Sequence, residues 1–297
     1  MKTKIQRLTG PLMLFLAAMI WGCAFVAQSA AMDHIGPFTF NAVRSLLAVL
    51  FLLPLSLISQ KKNRAAKITY RRRDQLMGGI LCGLALAFAS GTQQLSLSMG
   101  TTAGKAGFIT AMYMLMVPVF SLFLGKKVRA ILWPCIAVAV FGMYLLCVSD
   151  STVAPGDLMA LLCAVFYTFH ILITDRYVQV ADVITLSLTQ FAVNMVVSGI
   201  IALTTETITL QPILDSWLPL VYTGVLSSGV AFTLQAAGQK RTDPTLASML
   251  MSLESVFAVL GGFVILGDAL SAREIIGCVL MFAAIIVPQL PGKKTNA

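Results

Sequence analysis

Apolar runs of about twenty residues recur along the whole sequence, and no other feature limits the possible folds so narrowly. One run covers residues 245–266 and contains a single charged residue, Glu254. At a rise of about 1.5 Å per residue, about twenty helical residues cross a hydrocarbon core about 30 Å thick. A membrane-spanning β-strand needs only about ten residues, which alternate between apolar and polar. The runs therefore predict an all-α integral membrane protein.

The composition excludes a soluble domain of this length. Hydrophobic residues make up 58% of the 297 residues, charged residues make up 11%, and the mean hydropathy is +0.88. The six cysteines lie in or beside apolar runs without C-x-x-C spacing, so we expect reduced packing residues. The sequence therefore gives no reason to expect a metal, a cofactor or a catalytic residue.

Ten transmembrane helices are predicted from these runs. They cover residues 11–31, 37–58, 76–97, 102–124, 131–148, 158–174, 183–203, 217–238, 245–266 and 273–287. Pro118 lies inside the fourth run, where a proline frees a backbone carbonyl. It therefore predicts a kink at membrane depth.

The Lys and Arg residues predict how these helices are oriented. With the N-terminus inside, 18 of the 21 Lys and Arg residues fall in cytoplasmic segments. Arg273 alone falls outside, and Arg44 and Lys105 lie within the membrane. Both termini are therefore predicted to be cytoplasmic. The net charge of +9 belongs to loops beside anionic lipid, so we expect no nucleic-acid partner.

The two halves of the chain repeat one another weakly. A shift of 141 to 146 residues aligns the first five predicted helices with the last five. The aligned pairs include Gln94 with Gln235, Arg44 with Gln190, and Leu-Gly at 124–125 with Leu-Gly at 266–267. We therefore predict two five-helix repeats, residues 1–149 and 157–290. Since five is odd, the second repeat enters the membrane from the opposite face, which is a recurring plan of secondary transporters.

Four motifs connect the chain with a known family. They are WGCAF at residues 21–25, PFTFNAVRSLLA at 37–48, TTAGKAGFITAMYMLMVPVFSLFLGKK at 101–127 and LASMLMSLESVFAVLGGFVILGDALSAREIIG at 246–277. With these motifs, essentially the whole chain resembles the EamA-type branch of the drug/metabolite transporter superfamily. The resemblance implies a ten-helix, 5+5 inverted-repeat transporter of small metabolites, often an exporter of amino acids or related compounds. It also implies a central cavity lined by helices 1, 3, 4, 6, 8 and 9.

Two residues depart from the family's pattern. Lys126 stands where an acidic residue is common, and Ser255 stands where a proline often follows the glutamate of helix 9. The first change falls in a loop. The second removes a proline kink and leaves the local geometry of helix 9 open.

Four ionisable residues at membrane depth are the first candidates for a binding site. A carboxylate near the midplane costs about 2.5 to 3.5 kcal/mol on insertion scales. Glu254 therefore indicates either a site for a substrate amine or a proton, or a structural ion pair. Arg44 could partner Glu254 or bind a substrate carboxylate through two hydrogen bonds. Lys105 is within reach of the outer interface, and His170 suits either a proton relay or a neutral buried hydrogen bond.

Uncharged polar and aromatic residues on the apolar helices complete the predicted site. Those selected are Trp21, Gln28, Gln94, Tyr113, Tyr167 and Gln235. Such groups are unfavourable against lipid, so they are expected to face the bundle interior or a wet cavity. Each of them alone could instead join neighbouring helices.

These features predict a secondary transporter of the inner or plasma membrane that works by alternating access. The favoured activity is export of a small zwitterionic metabolite, with Glu254 and His170 motivating proton coupling. The expected partners are the small-molecule substrate, membrane lipid and, if transport is coupled, protons; a monomer and a homodimer both stay open. A passive facilitator or channel is the closer alternative. An intramembrane enzyme is disfavoured because only one carboxylate and one histidine lie deep in the membrane.

Overall fold

A computed structural model describes residues 4–32, 34–147, 154–261 and 271–289. Within these ranges, eight helices are long and apolar enough to cross a membrane, and two shorter apolar helices cover Leu132–Cys147 and Pro244–Leu260. Large apolar side chains cover the outside of the bundle, where Phe123 is 83% and Leu203 is 76% exposed. This pattern is typical of a surface that faces lipid. The expected ten spans and cytoplasmic termini stay predictions.

The helices are numbered here in chain order. They are α1 (Lys4–Ala31), α2 (Pro37–Ala65), α3 (Arg72–Ser98), α4 (Ala103–Thr110), α5 (Tyr113–Phe123), α6 (Leu132–Cys147), α7 (Pro155–Tyr177), α8 (Val183–Thr205), α9 (Leu210–Asp215), α10 (Trp217–Val221), α11 (Phe232–Gln239), α12 (Pro244–Met251), α13 (Glu254–Gly261) and α14 (Ala272–Ile286). A π-helix covers Tyr222–Ala231 and a 3₁₀ turn covers Val287–Gln289. The predicted end of helix 9, with the Leu-Gly pair at 266–267, lies outside the described residues.

Two of the predicted helices are each divided near their middle. The fourth is divided into α4 and α5 at Ala111 and Met112, and the ninth into α12 and α13 at Ser252 and Leu253. In the ninth, the hydroxyls of Ser248 and Ser252 each donate to a carbonyl three residues earlier, at 2.8 Å. Such side-chain bonds compete with the backbone ladder and bend helices. A break therefore forms here without a proline.

The break in the fourth helix lies six residues before Pro118, not at the proline itself, and α5 continues through Pro118. Ala111 and Ser252, the first residues of the two breaks, are 141 residues apart, which is the shift that aligns Gln94 with Gln235. Positions that the predicted repeat aligns are thus interrupted in the same way.

The eighth predicted helix departs from α geometry over Tyr222–Ala231, where ten residues form the π-helix. Segments with this wider turn occur frequently at functional sites. Two glycines let it lie directly against α2. An added Cβ would come within 2.7 Å of Leu47 at Gly224 and within 2.6 Å of Phe51 at Gly229.

Packing crosses between the two halves of the chain. Helices α3, α4 and α5 of the first half pack against α7 of the second half. The π-helix, α11, α12 and α13 of the second half pack against α1 of the first half. The pairs α2 with α8 and α6 with α14 join helices that the predicted repeat aligns. The halves are therefore interleaved and do not form two separate lobes.

Carboxylates fasten both ends of the antiparallel pair of α2 and α8. At one end, Glu206 accepts hydrogen bonds from the backbone N–H groups of Phe38 and Thr39, both at 2.8 Å. At the other end, Asp182 caps α8 and accepts a bond of 3.1 Å from Asn63 of α2. Negative charge at a helix N-terminus is favourable, so each helix start is stabilised by its neighbour or its cap.

Gly22 allows α1 to approach the start of α13 closely. A Cβ added at Gly22 would lie 2.5 Å from the Cβ of Phe257 and 2.7 Å from the carbonyl oxygen of Glu254. Small residues permit this kind of close helix contact in membranes. The position of Glu254 therefore depends on a glycine of another helix.

Replacing Gly22 by alanine should destabilise the protein, because the new methyl group meets backbone atoms that cannot rotate away. The expected loss is about 1 to 3 kcal/mol, as for other overpacked sites, measured as a lower thermal unfolding midpoint in detergent. Gly199→Ala is the matched control, since an added Cβ there has nothing within 4 Å. Equal midpoints for the two variants would contradict the close contact.

Candidate functional site

A cavity lies at the centre of the bundle, enclosed by α1, α2, α3, α7, the π-helix, α11 and the two broken helices. About 480 Å³ of space lies between its lining atoms, part of it open to the surroundings. Seven of the ten predicted site residues line it: Trp21, Gln28, Arg44, Tyr113, Tyr167, Gln235 and Glu254. The structure thus brings together residues that lie up to about 230 positions apart in the sequence.

Glu254 is the first residue of α13 and follows the break in the ninth predicted helix directly. It is only 6% exposed, and its Oε1 accepts a hydrogen bond of 3.1 Å from the hydroxyl of Tyr113. Tyr113 is the first residue of α5 and follows the other break. The two residues are 141 positions apart, so positions that the predicted repeat aligns meet in the cavity. The carboxylate also lies at a helix N-terminus, where negative charge is favoured.

Arg44 lies on α2 and is 5% exposed. Its Nη1 donates to Oε1 of Gln28 at 2.9 Å, and its guanidinium lies 5.6 Å from the ring centre of Phe40. Among the described residues, ion pairs join Lys105 with Asp157 and Lys126 with Asp175. Arg44 and Glu254 therefore line one cavity without forming an ion pair.

Aromatic rings form much of the cavity wall. Trp21 packs edge-on against Phe232, with 4.9 Å between ring centres, and its indole N–H donates to the carbonyl of Ser227 at 3.4 Å. Tyr113 and Tyr167 pack edge-on at 6.4 Å. The wall therefore offers apolar faces beside the guanidinium of Arg44 and the carboxyl group of Glu254.

Three predicted site residues do not line the cavity. His170 lies behind the wall, where its Nε2 shares a hydrogen bond of 3.0 Å with Gln190 and its ring packs 5.8 Å from that of Phe232. Lys105 lies in the first turn of α4 and pairs with Asp157 at 2.6 Å, which ties the ends of α4 and α7 together. Gln94 is fully buried in the bundle, while its neighbour Gln93 lines the cavity instead.

Several lining residues were absent from the predicted site. They are Phe25, Gln93, Thr110, Ile171, Ser227, Phe232 and Met251. Helical spacing could have found some of them. Phe25 lies four residues after Trp21, and Phe232 lies three residues before Gln235, so each shares a helix face with a predicted residue.

The helical bundle and its enclosed polar cavity are typical of a small-molecule transporter of the membrane. The model of the EamA-like transporter family matches the chain twice, over residues 8–148 and 154–288. The chain belongs to this family and is a multi-pass membrane transporter of the EamA type, so the resemblance noted from the motifs is confirmed.

Relatives with similar sequences support this assignment over nearly the whole length. An uncharacterized transporter of Archaeoglobus fulgidus is 29% identical over 290 residues, covering 96% of this chain and 87% of the relative. The uncharacterized inner membrane transporter YedA of Escherichia coli K12 is 24% identical over 278 residues, covering 92% and 89%. One solved crystal structure has a TM-score of 0.78, covers 95% of this chain and 98% of its own, and is 21% identical. That last similarity shows the fold alone.

Removing the hydroxyl of Tyr113 should leave Glu254 without its partner. A buried group that loses its hydrogen-bond partner costs about 1 to 3 kcal/mol, so Tyr113→Phe should lower the thermal unfolding midpoint. Tyr144→Phe serves as the control because Tyr144 is 45% exposed. A Tyr113→Phe midpoint as high as that of the control would show that this hydrogen bond does not stabilise the broken helices.

Proposed function

We propose that the protein is a secondary transporter that exports small zwitterionic metabolites, such as amino acids, from the cell across the inner or plasma membrane. The observation that carries this proposal is the presence of Arg44 and Glu254 in one buried cavity without an ion pair between them. A zwitterion offers a carboxylate to the first and an ammonium group to the second.

The electrostatics of the cavity favour such a ligand. Each buried charge has only a neutral hydrogen-bond partner, Gln28 for Arg44 and Tyr113 for Glu254. A buried charge without an opposite charge is costly, whereas a charge-assisted pair is among the strongest hydrogen bonds. Binding a zwitterion would compensate both charges at once. The aromatic faces of Trp21 and Phe232 would then contact the ligand's side chain.

Alternating access is supported by the paired helix breaks. Discontinuous helices near the midplane recur at the substrate sites of inverted-repeat transporters. Here the two breaks lie at equivalent positions of residues 1–149 and 157–290, the two proposed repeats. Because α1 packs on α11, α12 and α13 while α7 packs on α3, α4 and α5, each moving body in this proposal combines helices of both repeats.

Counterflow in proteoliposomes tests the proposal. Wild-type protein should exchange at least one labelled zwitterion from a pool of amino acids and related metabolites. Losing a hydrogen bond to a charged group costs about 1.5 to 3 kcal/mol, so Glu254→Gln and Arg44→Met should each weaken cargo affinity roughly ten- to a hundredfold. Lys105→Met is the control for removing a cation outside the cavity, and its transport should persist.

Analogues of the cargo separate the two proposed charge contacts. An amine that lacks the carboxylate should compete equally well in wild type and Arg44→Met, because it never uses the guanidinium. A carboxylate that lacks the amine should likewise compete equally well in wild type and Glu254→Gln. Normal counterflow in both folded variants would contradict the binding roles, and transport unaffected by collapse of the pH gradient would contradict proton coupling.

A further inference from the structure

A second pocket lies outside the central cavity, where α2 ends and α3 begins. It encloses about 1340 Å³ of space, part of it open to the surroundings. We call it the loop pocket; its lining includes Arg64, Lys67, Tyr70, Arg72, Leu76 and Asp182. It lies on the predicted cytoplasmic side and shares no lining residue with the central cavity.

Positive charge dominates the loop pocket. The side chains of Arg64, Lys67 and Arg72 are exposed and line it from the end of α2, the connecting loop and the start of α3. Asp182 is the one carboxylate among its lining residues, and it is already engaged by Ser59. Burial raises the pKa of Asp182, but hydrogen bonds from Thr185, Ser59 and Asn63 outweigh this effect and hold it below its ordinary value. Asp182 therefore stays an ionised structural cap, and the three cations face outward.

Lys67 occupies a backbone conformation that disfavours it. Its φ of 54° is left-handed, and the N–H of Ile68 bonds to the carbonyl of Asn63 across the helix end at 2.9 Å. The equivalent positions at the ends of α3 and α5 are Gly100 and Gly125, with φ of 88° and 73°. Glycine thus occupies this left-handed position at two of the three helix ends, and lysine occupies it at the third. Strained residues of this kind often mark functional positions.

Apolar side chains continue the loop pocket toward the lipid. Ile68, which lines it, is 49% exposed, and Leu76 is 45% exposed. The neighbouring Ile58 on α2 is 50% exposed. A soluble phosphate would leave these side chains uncovered, whereas a phospholipid brings acyl chains together with its phosphate. The start of α3 adds backbone donors, since its N-cap Arg71 makes no side-chain capping bond.

We propose that the loop pocket binds the phosphate of an anionic phospholipid, with Arg64, Lys67 and Arg72 facing the headgroup and Ile68 and Leu76 contacting the acyl chains. Basic pockets at the cytoplasmic ends of membrane helices are suited to such lipids. The site is independent of the cargo cavity, so its failure would leave the transport proposal intact.

Native mass spectrometry of the full chain, released from nanodiscs of defined composition, tests the site. Wild type should retain phosphatidylglycerol in preference to phosphatidylcholine. Each cation near an anionic surface contributes about 1 kcal/mol, so Arg64→Gln/Arg72→Gln should weaken phosphatidylglycerol binding roughly 25-fold. Arg71→Gln/Arg73→Gln is the matched control, since both arginines are exposed in the same segment without lining the pocket. Its binding should weaken clearly less than that of the pocket variant, because neither side chain lines the pocket that would hold the headgroup.

A second variant separates the charge of Lys67 from its structural role. Lys67→Gly removes the strained side chain, so it should raise the thermal midpoint in lipid-free detergent by roughly 2 to 4 °C. The same variant should weaken phosphatidylglycerol binding roughly fivefold, since it removes one of the three cations. Since it is expected to be the more stable protein, that weakening cannot come from misfolding.

Three results would overturn the proposal. Equal losses in the two double variants would assign the effect to the general positive field of the loop. Equal retention of phosphatidylcholine and phosphatidylglycerol by wild type would show that binding does not depend on the charge of the headgroup. Displacement of the lipid by millimolar glycerol phosphate, with no dependence on acyl chains, would identify a site for soluble phosphate instead.

Discussion

The hydrogen bond between Tyr113 and Glu254 joins the two broken helices at the centre of the bundle, and the cavity is built around it. Each residue begins the second segment of its broken helix, and the two breaks are related by the same shift along the chain. A buried carboxylate needs such a partner, because an unpaired charge at this depth is costly. The contact thus gives the buried carboxyl group of Glu254 a hydrogen-bond partner and also links the two halves of the chain.

The surrounding packing holds this contact in place. Gly22 lets α1 lie against the carbonyl of Glu254, and Gly224 lets the π-helix lie against α2, which carries Arg44. Farther out, Glu206 and Asp182 fasten the ends of α2 and α8, and Lys105 with Asp157 ties α4 to α7. Glu206, Asp182, Lys105 and Asp157 near the helix ends are thus paired or cap a helix, whereas Arg44 and Glu254 in the cavity form no ion pair. That contrast separates structural charges from the proposed binding charges.

The sequence predicts the membrane class, most helix bounds and seven of the cavity-lining residues, because long apolar runs and rare polar residues within them have few physical explanations. The finer geometry could not be read in the same way. Gln93 and Gln94 differ by about 100° of helix rotation, which the local pattern does not define. The π-helix and the break at Ser252 depend on serines, glycines and contacts with α1 and α2. Lys105 has a structural partner 52 residues away, which only the folded chain reveals.

The most direct measurement of the central claim is modification of Glu254 by a membrane-permeant carbodiimide, followed by peptide mass spectrometry and counterflow on the same sample. If Glu254 lines the cargo cavity, it should be labelled in the folded protein, cargo should slow the labelling, and counterflow should fall in proportion to the labelled fraction. Full labelling of Glu254 with unchanged counterflow, or labelling that cargo does not slow, would contradict a role for this carboxylate in binding.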